Sequence, residues 1–206
     1  MSHTIYLARH GQDQDNAASI LNGQRDTPLT DVGLGQARLL AQTIVEAELG
    51  IQKVFSSPLQ RAYVTAEMTA DALGLPKPEK LDLLIERNFG IMTGLPTNCI
   101  AERCAPDIIQ GELITYFLAP EGAETFPDLI MRAHTLLEWI EKNVAEERIL
   151  LVGHGDMGKM IYAAFYGLDW KDVLTDFHFG NSEVLLLKEN TPVEERHIHK
   201  TVQHNS

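Results

Sequence analysis

The chain has few cysteines and no long apolar run, and both absences limit what the protein can be. Its 206 residues include two cysteines, Cys99 and Cys104, and no second cysteine pair is present to complete a zinc site. We therefore expect two reduced thiols, which suits the cytoplasm. No apolar run is long enough to cross a membrane. The polar start Met-Ser-His-Thr leads directly into an apolar stretch, so we expect no signal peptide.

The sequence also lacks a surplus of basic residues. Lys and Arg number 17 against 29 Asp and Glu, which gives a formal net charge of −12 at pH 7. No run of basic residues is present, so nucleic acid is not expected as a partner, because backbone phosphates require a basic surface. Long-range steering of an anionic substrate would be repulsive. Any phosphate site must therefore rely on a local cluster of cations inside a pocket.

What the sequence does contain is a regular alternation of apolar strands and amphipathic helices. Strands are predicted at 5–8, 53–56, 149–152, 183–187 and, as an edge strand, 197–202. Helices are predicted from Thr30 to Gly50, from Ser57 and Pro58 to about residue 73, from Thr125 to about residue 144, and after Gly155 up to Gly167. This order predicts an α/β fold, a three-layer α/β/α sandwich with a mostly parallel central sheet. We expect one domain over residues 1–206, with an insertion at about 80–125 over the C-terminal edge of the sheet.

Two of these strands end in the same way, with a histidine followed by glycine. Arg9-His10-Gly11 follows the first strand, and Gly153-His154-Gly155 follows the fully apolar strand at 149–152. Because open α/β sheets bind ligands at the carboxyl ends of their strands, we expect the two histidines to share one site. Together with Arg9 and Arg61 they would form a pocket of cations and donors suited to a phosphoryl group.

Phosphoryl chemistry in this pocket would have to proceed without the usual metal machinery. The sequence has no Gly-x-x-x-x-Gly-Lys motif and no obvious carboxylate set for magnesium. The arginines would then stabilise charge where Mg²⁺ does so elsewhere, and a histidine could attack phosphorus itself. The pair His197 and His199 lies on one face of its strand, but without a third ligand it does not predict a metal site.

Each of these residues also has a plainer interpretation. Arg61 could be a solvated residue in the first turn of its helix, although a cation is mildly unfavourable there. Glu86 could pair with Arg87 on the surface, His154 could simply end a strand, and Asn16 could be an ordinary loop or cap residue. From single residues alone the choice stays open.

Several spaced motifs, taken together, resemble the histidine phosphatase superfamily, which contains the cofactor-dependent phosphoglycerate mutases and their phosphatase relatives. The resemblance spans nearly the whole chain. It rests on five segments: Arg9-His10-Gly11 with Asn16; Asn22 to Thr30 followed by Gln36-Ala37; Ser56 to Ala62; Glu86 to Gly90; and Val152 to Gly155.

The resemblance implies a role for each motif residue. His10 is expected as the nucleophile, Arg9, Arg61 and His154 as the phosphate clamp, and Glu86 as the proton donor to the leaving oxygen. Further substrate-binding candidates are Asn16, Gly23, Gln24, Arg87 and Gly155. It implies no cofactor and no metal, a small phosphorylated metabolite as the substrate, and an oligomeric state left open, a dimer included.

Within the superfamily, the insertion favours the phosphatases. The mutases carry a longer insertion with a tandem arginine pair, whereas residues 99–125 contain only Arg103. The segment Pro120 to Thr125 resembles the phosphatase members, although Gln12 departs from the glutamate common after the histidine motif. We expect a metal-independent phosphomonoester hydrolase. The alternatives are a cofactor-dependent phosphoglycerate mutase and a non-catalytic protein that binds a phosphorylated ligand.

The implied mechanism also makes a demand on pH. His10 must be neutral to attack, while Glu86 must be protonated to donate, although their ordinary pKa values lie in the opposite order. We expect Arg9 and Arg61 to lower both pKa values in the empty site. The rate should then follow a bell-shaped profile with its optimum on the acid side of neutral.

Overall fold

The computed structural model describes residues 2–111 and 113–200. The strands in chain order are β1 Thr4–Arg9, β2 Lys53–Ser56, β3 Glu79–Lys80, β4 Ile108–Gln110, β5 Thr115–Phe117, β6 Arg148–Gly153, β7 Val184–Leu187 and β8 His197–His199. The α-helices are α1 Gln14–Ala17, α2 Asp31–Glu46, α3 Gln60–Ala72, α4 Ile100–Cys104, α5 Phe126–Asn143, α6 Gly155–Tyr166 and α7 Trp170–Asp176. Short 3₁₀ helices lie at Asp82–Leu84, Gly90–Met92, Thr97–Cys99 and Val193–Glu195.

The main sheet has six strands in the order β3-β2-β6-β1-β7-β8. The first four run parallel, and β7 and β8 are antiparallel to their neighbours. Alternate residues of β1 enter opposite cores, as strands buried on both faces require. Ile5 and Leu7 pack with α5 and α6, whereas Tyr6 and Ala8 pack with α2 and α3. The expected α/β class, with its mostly parallel central sheet, is therefore confirmed.

Two of the predicted helix ends lie elsewhere. Helix α2 ends at Glu46 instead of extending to Gly50, because Glu48 already adopts the left-handed conformation at φ 49°. Helix α3 begins at Gln60 with Leu59 as its N-cap, so Ser57 does not cap it. The Ser57 hydroxyl instead hydrogen-bonds His154. The predicted cap at Thr125 is confirmed, because its hydroxyl accepts a hydrogen bond from the backbone N–H of Asp128.

The insertion at 80–125 contains three of the short 3₁₀ helices, α4 and the separate β4–β5 hairpin. Its apolar side chains form a small cluster with Leu21, which comes from the loop after α1. Backbone hydrogen bonds between Leu21 and Leu95, and between Gly94 and Leu21, attach the insertion to that loop. The insertion thus shares its small core with the loop that follows β1, and this places it beside the end of that strand.

The last described residues form the edge of the sheet. Strand β8 ends at His199, shorter than predicted, and Thr201 and Val202 of the predicted strand lie outside the described residues. Cys99 and Cys104 are free thiols. None of the helices in the described ranges is both long and apolar enough to span a bilayer.

Candidate active site

The ends of β1 and β6 bring the two histidines together. The strands pair in parallel register with Arg9 opposite Gly153, and each histidine is the next residue. The backbone N–H of His10 donates to the Gly153 carbonyl at 3.1 Å. The two imidazole rings lie edge to face with centroids 5.1 Å apart, and both are buried. The site therefore lies where parallel strands of an open sheet present their carboxyl ends.

The loop after β1 is held by close backbone packing. A Cβ added to Gly33 would lie 2.0 Å from the carbonyl oxygen of Gln12, and one added to Gly11 would lie 2.4 Å from that of Gly33. The backbone N–H of Gly11 donates to the Thr65 hydroxyl at 3.2 Å. The start of α2 therefore packs directly on the chain that carries His10, and α3 holds it from the other side.

The hydrogen bonds of His10 fix its tautomer. Its Nδ1 lies 2.6 Å from the Gly11 carbonyl oxygen, which can only accept, so Nδ1 carries the proton. The lone pair is therefore on Nε2, to which Arg61 Nε donates at 3.3 Å. Burial first, and then Arg61 and Arg9, hold the pKa of His10 well below its usual value. The imidazole is thus neutral in neutral solution, with its lone pair directed at the guanidinium.

His154 is oriented in the opposite sense. Its Nε2 lies 2.7 Å from the Ser57 hydroxyl, and that hydroxyl accepts from the backbone N–H of Leu59 at 3.3 Å. The hydroxyl proton has no other acceptor in the described ranges, and we infer that it is donated to His154 Nε2, which places the imidazole proton on Nδ1. That buried Nδ1–H has no partner among the described residues. His154 therefore offers a hydrogen-bond donor to a ligand.

Arg61 is fully buried and held from several directions. Its terminal nitrogens donate to the carbonyls of Gly23, at 2.8 Å, and Arg25, and its Nε lies 3.1 Å from Asp13 Oδ2. Gly23 adopts φ 49°, and an added Cβ there would meet the Phe89 ring at 3.0 Å. Gly23 contributes to the site through its carbonyl and its permitted backbone conformation.

Arg9 is partly free. One terminal nitrogen donates to the Phe179 carbonyl at 2.9 Å, whereas its buried Nε has no partner within the part of the chain described. Gly155 packs against this guanidinium, since an added Cβ would lie 3.5 Å from Arg9 Cζ. The unpaired Nε–H of Arg9 and the unpaired Nδ1–H of His154 are the kind of donors that bind an oxyanion.

The carboxyl group of Glu86 is buried against the first residues of α6. Its Oε1 accepts backbone hydrogen bonds from Arg87 at 2.8 Å and Met157 at 3.0 Å, and its Oε2 accepts one from Asp156 at 3.2 Å. Burial and the neighbouring Asp156 raise the pKa of Glu86. Arg61 lowers this pKa, as expected, but the loss of solvation raises it by more, so the expected net lowering is not found. A raised pKa is what a carboxylic acid needs in order to donate a proton.

We call the cluster of Arg9, His10, Arg61 and His154 the cradle. Arg87 is the candidate that the structure does not bring into this cluster. Its Nε donates to Asp156 at 2.8 Å, and its guanidinium packs on the rings of Phe89, Phe117 and Phe126 at 4.3–4.9 Å. The plain interpretation, a surface pair of Glu86 with Arg87, also fails. Glu86 and Arg87 are both buried, and the side chain of Arg87 pairs with Asp156.

The other two substrate-binding candidates lie beside the cradle. Asn16 Oδ1 accepts from Asn181 Nδ2 at 3.3 Å, and the same amide nitrogen donates to the His10 carbonyl at 2.9 Å. Gln24 Nε2 donates to the backbone carbonyl of Glu86 at 2.9 Å and so holds the backbone that carries the buried carboxyl group.

Several residues with contacts in the site were not predicted from the sequence, among them Asp13, Ser57, Thr65 and Asn181. For Thr65 a signal existed, because it lies four residues after Arg61 on α3 and hence on the same face of the helix. For Asn181, which is 171 positions from His10, no local pattern could have shown the contact. Asp13 lies two residues after the histidine motif, and in the sequence it resembles an ordinary acidic loop residue.

A cavity of about 260 Å³ opens beside the cradle, between the strand ends and the insertion. Its described lining consists of amides, hydroxyls and aliphatic groups with one cation: Arg9, Asn16, Leu21, Thr97, Asn98, Ile100, Leu113, Ile114, Thr115 and Asn181. Within residues 2–111 and 113–200, the site included, no three His, Cys, Asp or Glu side chains converge in a way that could hold a metal ion.

Comparisons with known proteins agree with this geometry. A family model, "Histidine phosphatase superfamily (branch 1)", matches residues 5–194. The chain is 28% identical over 203 residues to a 2,3-bisphosphoglycerate-dependent phosphoglycerate mutase of Methylobacterium sp. (strain 4-46), covering 96% of this chain and 98% of the relative. It is 30% identical over 178 residues to the protein of the same name from Brucella melitensis biotype 2, covering 84% and 86%.

Solved structures give a second comparison. Mycobacterial glucosyl-3-phosphoglycerate phosphatase complexed with VO3 aligns with a TM-score of 0.76 at 26% identity, covering 89% of this chain and 92% of that one. Bacillus stearothermophilus YhfR aligns with a TM-score of 0.76 at 23% identity, covering 99% and 98%, which shows the shared fold. Because the family model spans residues 5–194, the chain belongs to the histidine phosphatase superfamily.

Proposed function

We propose that the protein is a metal-independent phosphomonoester hydrolase that acts through a phosphohistidine on His10. The observation that carries this proposal is the fixed tautomer of His10. Its proton is held on Nδ1 by the Gly11 carbonyl, and its lone pair on Nε2 faces the guanidinium of Arg61. A neutral imidazole whose free nitrogen lies beside a buried cation can attack a phosphoryl group that the cation binds.

In the first step, His10 Nε2 forms a bond to phosphorus and the bond from phosphorus to the ester oxygen breaks. The Glu86 proton goes to the leaving alcohol oxygen. In the second step, a water attacks phosphorus, Glu86 takes the water proton, and the bond between nitrogen and phosphorus breaks to release phosphate. Arg9, Arg61 and the His154 Nδ1–H would stabilise the charge on the phosphoryl oxygens in both steps.

The lining of the cavity beside the cradle supports hydrolysis over mutase activity. A phosphoglycerate mutase must hold a second phosphate or a carboxylate next to the phosphoenzyme, and such groups require cations. Arg9 is the one cation in the described lining, and it already belongs to the cradle. Amides and hydroxyls are better suited to a small phosphorylated metabolite whose leaving group is uncharged.

Mutase activity is the second candidate, because the curated relatives at 28–30% identity carry that name. The glucosyl-3-phosphoglycerate phosphatase, similar in structure at 26% identity, supports the hydrolase instead.

We place either activity in the cytoplasm, on the basis of the free thiols of Cys99 and Cys104. The proposed steps of the hydrolase use no bound metal or cofactor.

The test is phosphate release from a panel of phosphomonoesters, with chelator present. We expect release by the native protein, none by His10→Ala, and unchanged release by His134→Ala, which alters an exposed histidine of α5. Conversion of 3-phosphoglycerate to 2-phosphoglycerate is measured in parallel. Conversion without phosphate release would establish the mutase, and inactivity of the native protein in both assays would contradict both enzymes.

A further inference from the structure

An acid lies inside the cradle that is built to bind an anion. Asp13 is fully buried, and its Oδ2 is 3.1 Å from Arg61 Nε. The same nitrogen donates to His10 Nε2 at 3.3 Å. One guanidinium nitrogen therefore faces both the proposed nucleophile and a carboxylate. A phosphoryl group bound at His10 would lie close to that carboxylate.

The groups that face Asp13 compensate its negative charge only in part. Arg61 and, at longer range, Arg9 are the cations whose charge acts on it. The backbone N–H of Asn16 donates to its Oδ1 at 2.8 Å, and the Asn22 amide donates to its Oδ2 at 2.7 Å. With both histidines neutral, these two arginines must balance Asp13 and the incoming ligand together.

The charge balance changes when a tetrahedral dianion enters. Two arginines offset the two charges of the ligand, so an ionised Asp13 is left as an uncompensated charge in a buried site. Uncompensated buried charges are strongly unfavourable, and such groups become neutral instead. An ionised Asp13 also attracts the Nε–H of Arg61. Only a neutral Asp13 leaves this N–H fully available to the ligand.

We propose that Asp13 takes up one proton from solvent when a phosphoryl-type dianion binds, so that the protein binds dianion and proton together. Asp13 is then a positioning residue: as a carboxylate it holds Arg61 in the empty site, and as a neutral carboxyl group it releases Arg61 to the ligand. The proposal rests on the anion site of the proposed function and not on the reaction that follows.

The environment of Asp13 agrees with this role. Burial raises its pKa above the ordinary value, against the opposing effects of Arg61, Asn16, Asn22 and Arg9. The nearby Asp15 provides a contrast, on the short helix α1 that Asp13 caps. It pairs with Arg25 at 3.0 Å and not with Arg61. Removing its charge should leave the cradle unchanged, which makes Asp15→Asn a matched control.

The test is calorimetric titration of the whole protein with sulfate, which stays a dianion between about pH 5 and pH 9. Repeating the titration in buffers of different ionisation enthalpy gives the number of protons bound. For the native protein we expect proton uptake, and above the pKa of Asp13 a Kd for sulfate that rises up to about tenfold per pH unit. In Asp13→Asn, the uptake should fall by about one proton and the affinity at pH 8 should rise about tenfold. Asp15→Asn should match the native protein.

Glu86 is another buried carboxyl group of the site that could take up the proton, so Glu86→Gln is titrated as well. Persistence of about one proton of uptake in Glu86→Gln supports Asp13, and this readout does not depend on whether Asp13→Asn folds. Loss of all uptake in Glu86→Gln would overturn the proposal, as would unchanged uptake in Asp13→Asn. If the native protein binds no sulfate at any pH, the anion site and the proposal both fail. Sulfate binding without phosphate release would refute only the proposed reaction.

Discussion

The ends of β1 and β6 carry the same pattern, a histidine followed by glycine, yet they present opposite nitrogens. At the end of β1, a backbone carbonyl holds the Nδ1–H of His10 and leaves Nε2 as a lone pair. At the end of β6, the Ser57 hydroxyl occupies Nε2 of His154 and leaves Nδ1–H as a donor. The partner of the far nitrogen therefore decides whether each ring can attack or donate.

The two strand ends also differ in what surrounds the histidine. The β1 end holds Arg9 and Asp13, so its electrostatics are set by charged side chains. The β6 end leads into α6, whose first backbone N–H groups hold the Glu86 carboxylate. We infer a division of work in which β1 supplies the nucleophile, and β6 supplies a donor together with the anchored acid.

The largest expected effect is the loss of the nucleophile. His10→Gln keeps a polar side chain but cannot form the phosphoenzyme, so the rate should fall at least about 10⁴-fold. Acid-sensitive, base-stable labelling by a radioactive phosphomonoester after rapid quenching would measure the intermediate. Retained labelling in this variant would refute the assignment of the nucleophile to β1.

Removal of the acid should have the next largest effect, about 10²- to 10⁴-fold. Because the pKa of His10 is lowered, its acid limb should lie below the ordinary histidine pKa. Because the pKa of Glu86 is raised, the basic limb of the rate profile should lie above the ordinary pKa of a carboxylic acid. The rate therefore rises as His10 loses its proton and falls as Glu86 loses its own. Rate profiles from about pH 4 to pH 9 should show both limbs in the native protein and only the acid limb in Glu86→Gln.

The donor histidine should matter less than the nucleophile. In His154→Gln, loss of one positioned donor should lower the rate about 10²- to 10³-fold. Labelling should survive, since His10 keeps both of its own hydrogen bonds. If labelling disappears in this variant while the protein remains folded by circular dichroism, the proposed division between the two strand ends is incorrect.

The sequence predicted the features that depend on local patterns. Four-residue apolar runs before His10 and His154 are typical of strands buried on both faces, and parallel pairing then places both rings at one edge. The Thr125 cap of α5 follows from a hydroxyl that lies three residues before the backbone N–H from which it accepts. Such features depend on spacing along the chain, which a sequence displays directly.

Features that depend on distant segments were not predictable in this way. Arg87 packs on Phe117 and Phe126, which come from other segments, as well as on the nearby Phe89. Its position outside the cradle could therefore not be predicted from adjacent residues alone. The raised pKa of Glu86 depends on how deeply the carboxyl group is buried. Ser57 resembles a helix cap in sequence, and only the folded sheet shows that His154 takes its hydroxyl.

The smallest expected effect tests the comparison of the two histidines most directly. In Ser57→Ala, Nε2 of His154 loses the hydroxyl that fixes its tautomer, so Nδ1 carries the proton only part of the time. We expect a rate about three- to tenfold lower, because one neutral hydrogen bond contributes about 1 kcal/mol. Nitrogen NMR of the imidazoles would report the change directly. The His154 signals should shift toward a tautomer mixture while those of His10 stay unchanged, and a shift confined to His10 would contradict the assignment of Ser57 to the β6 end.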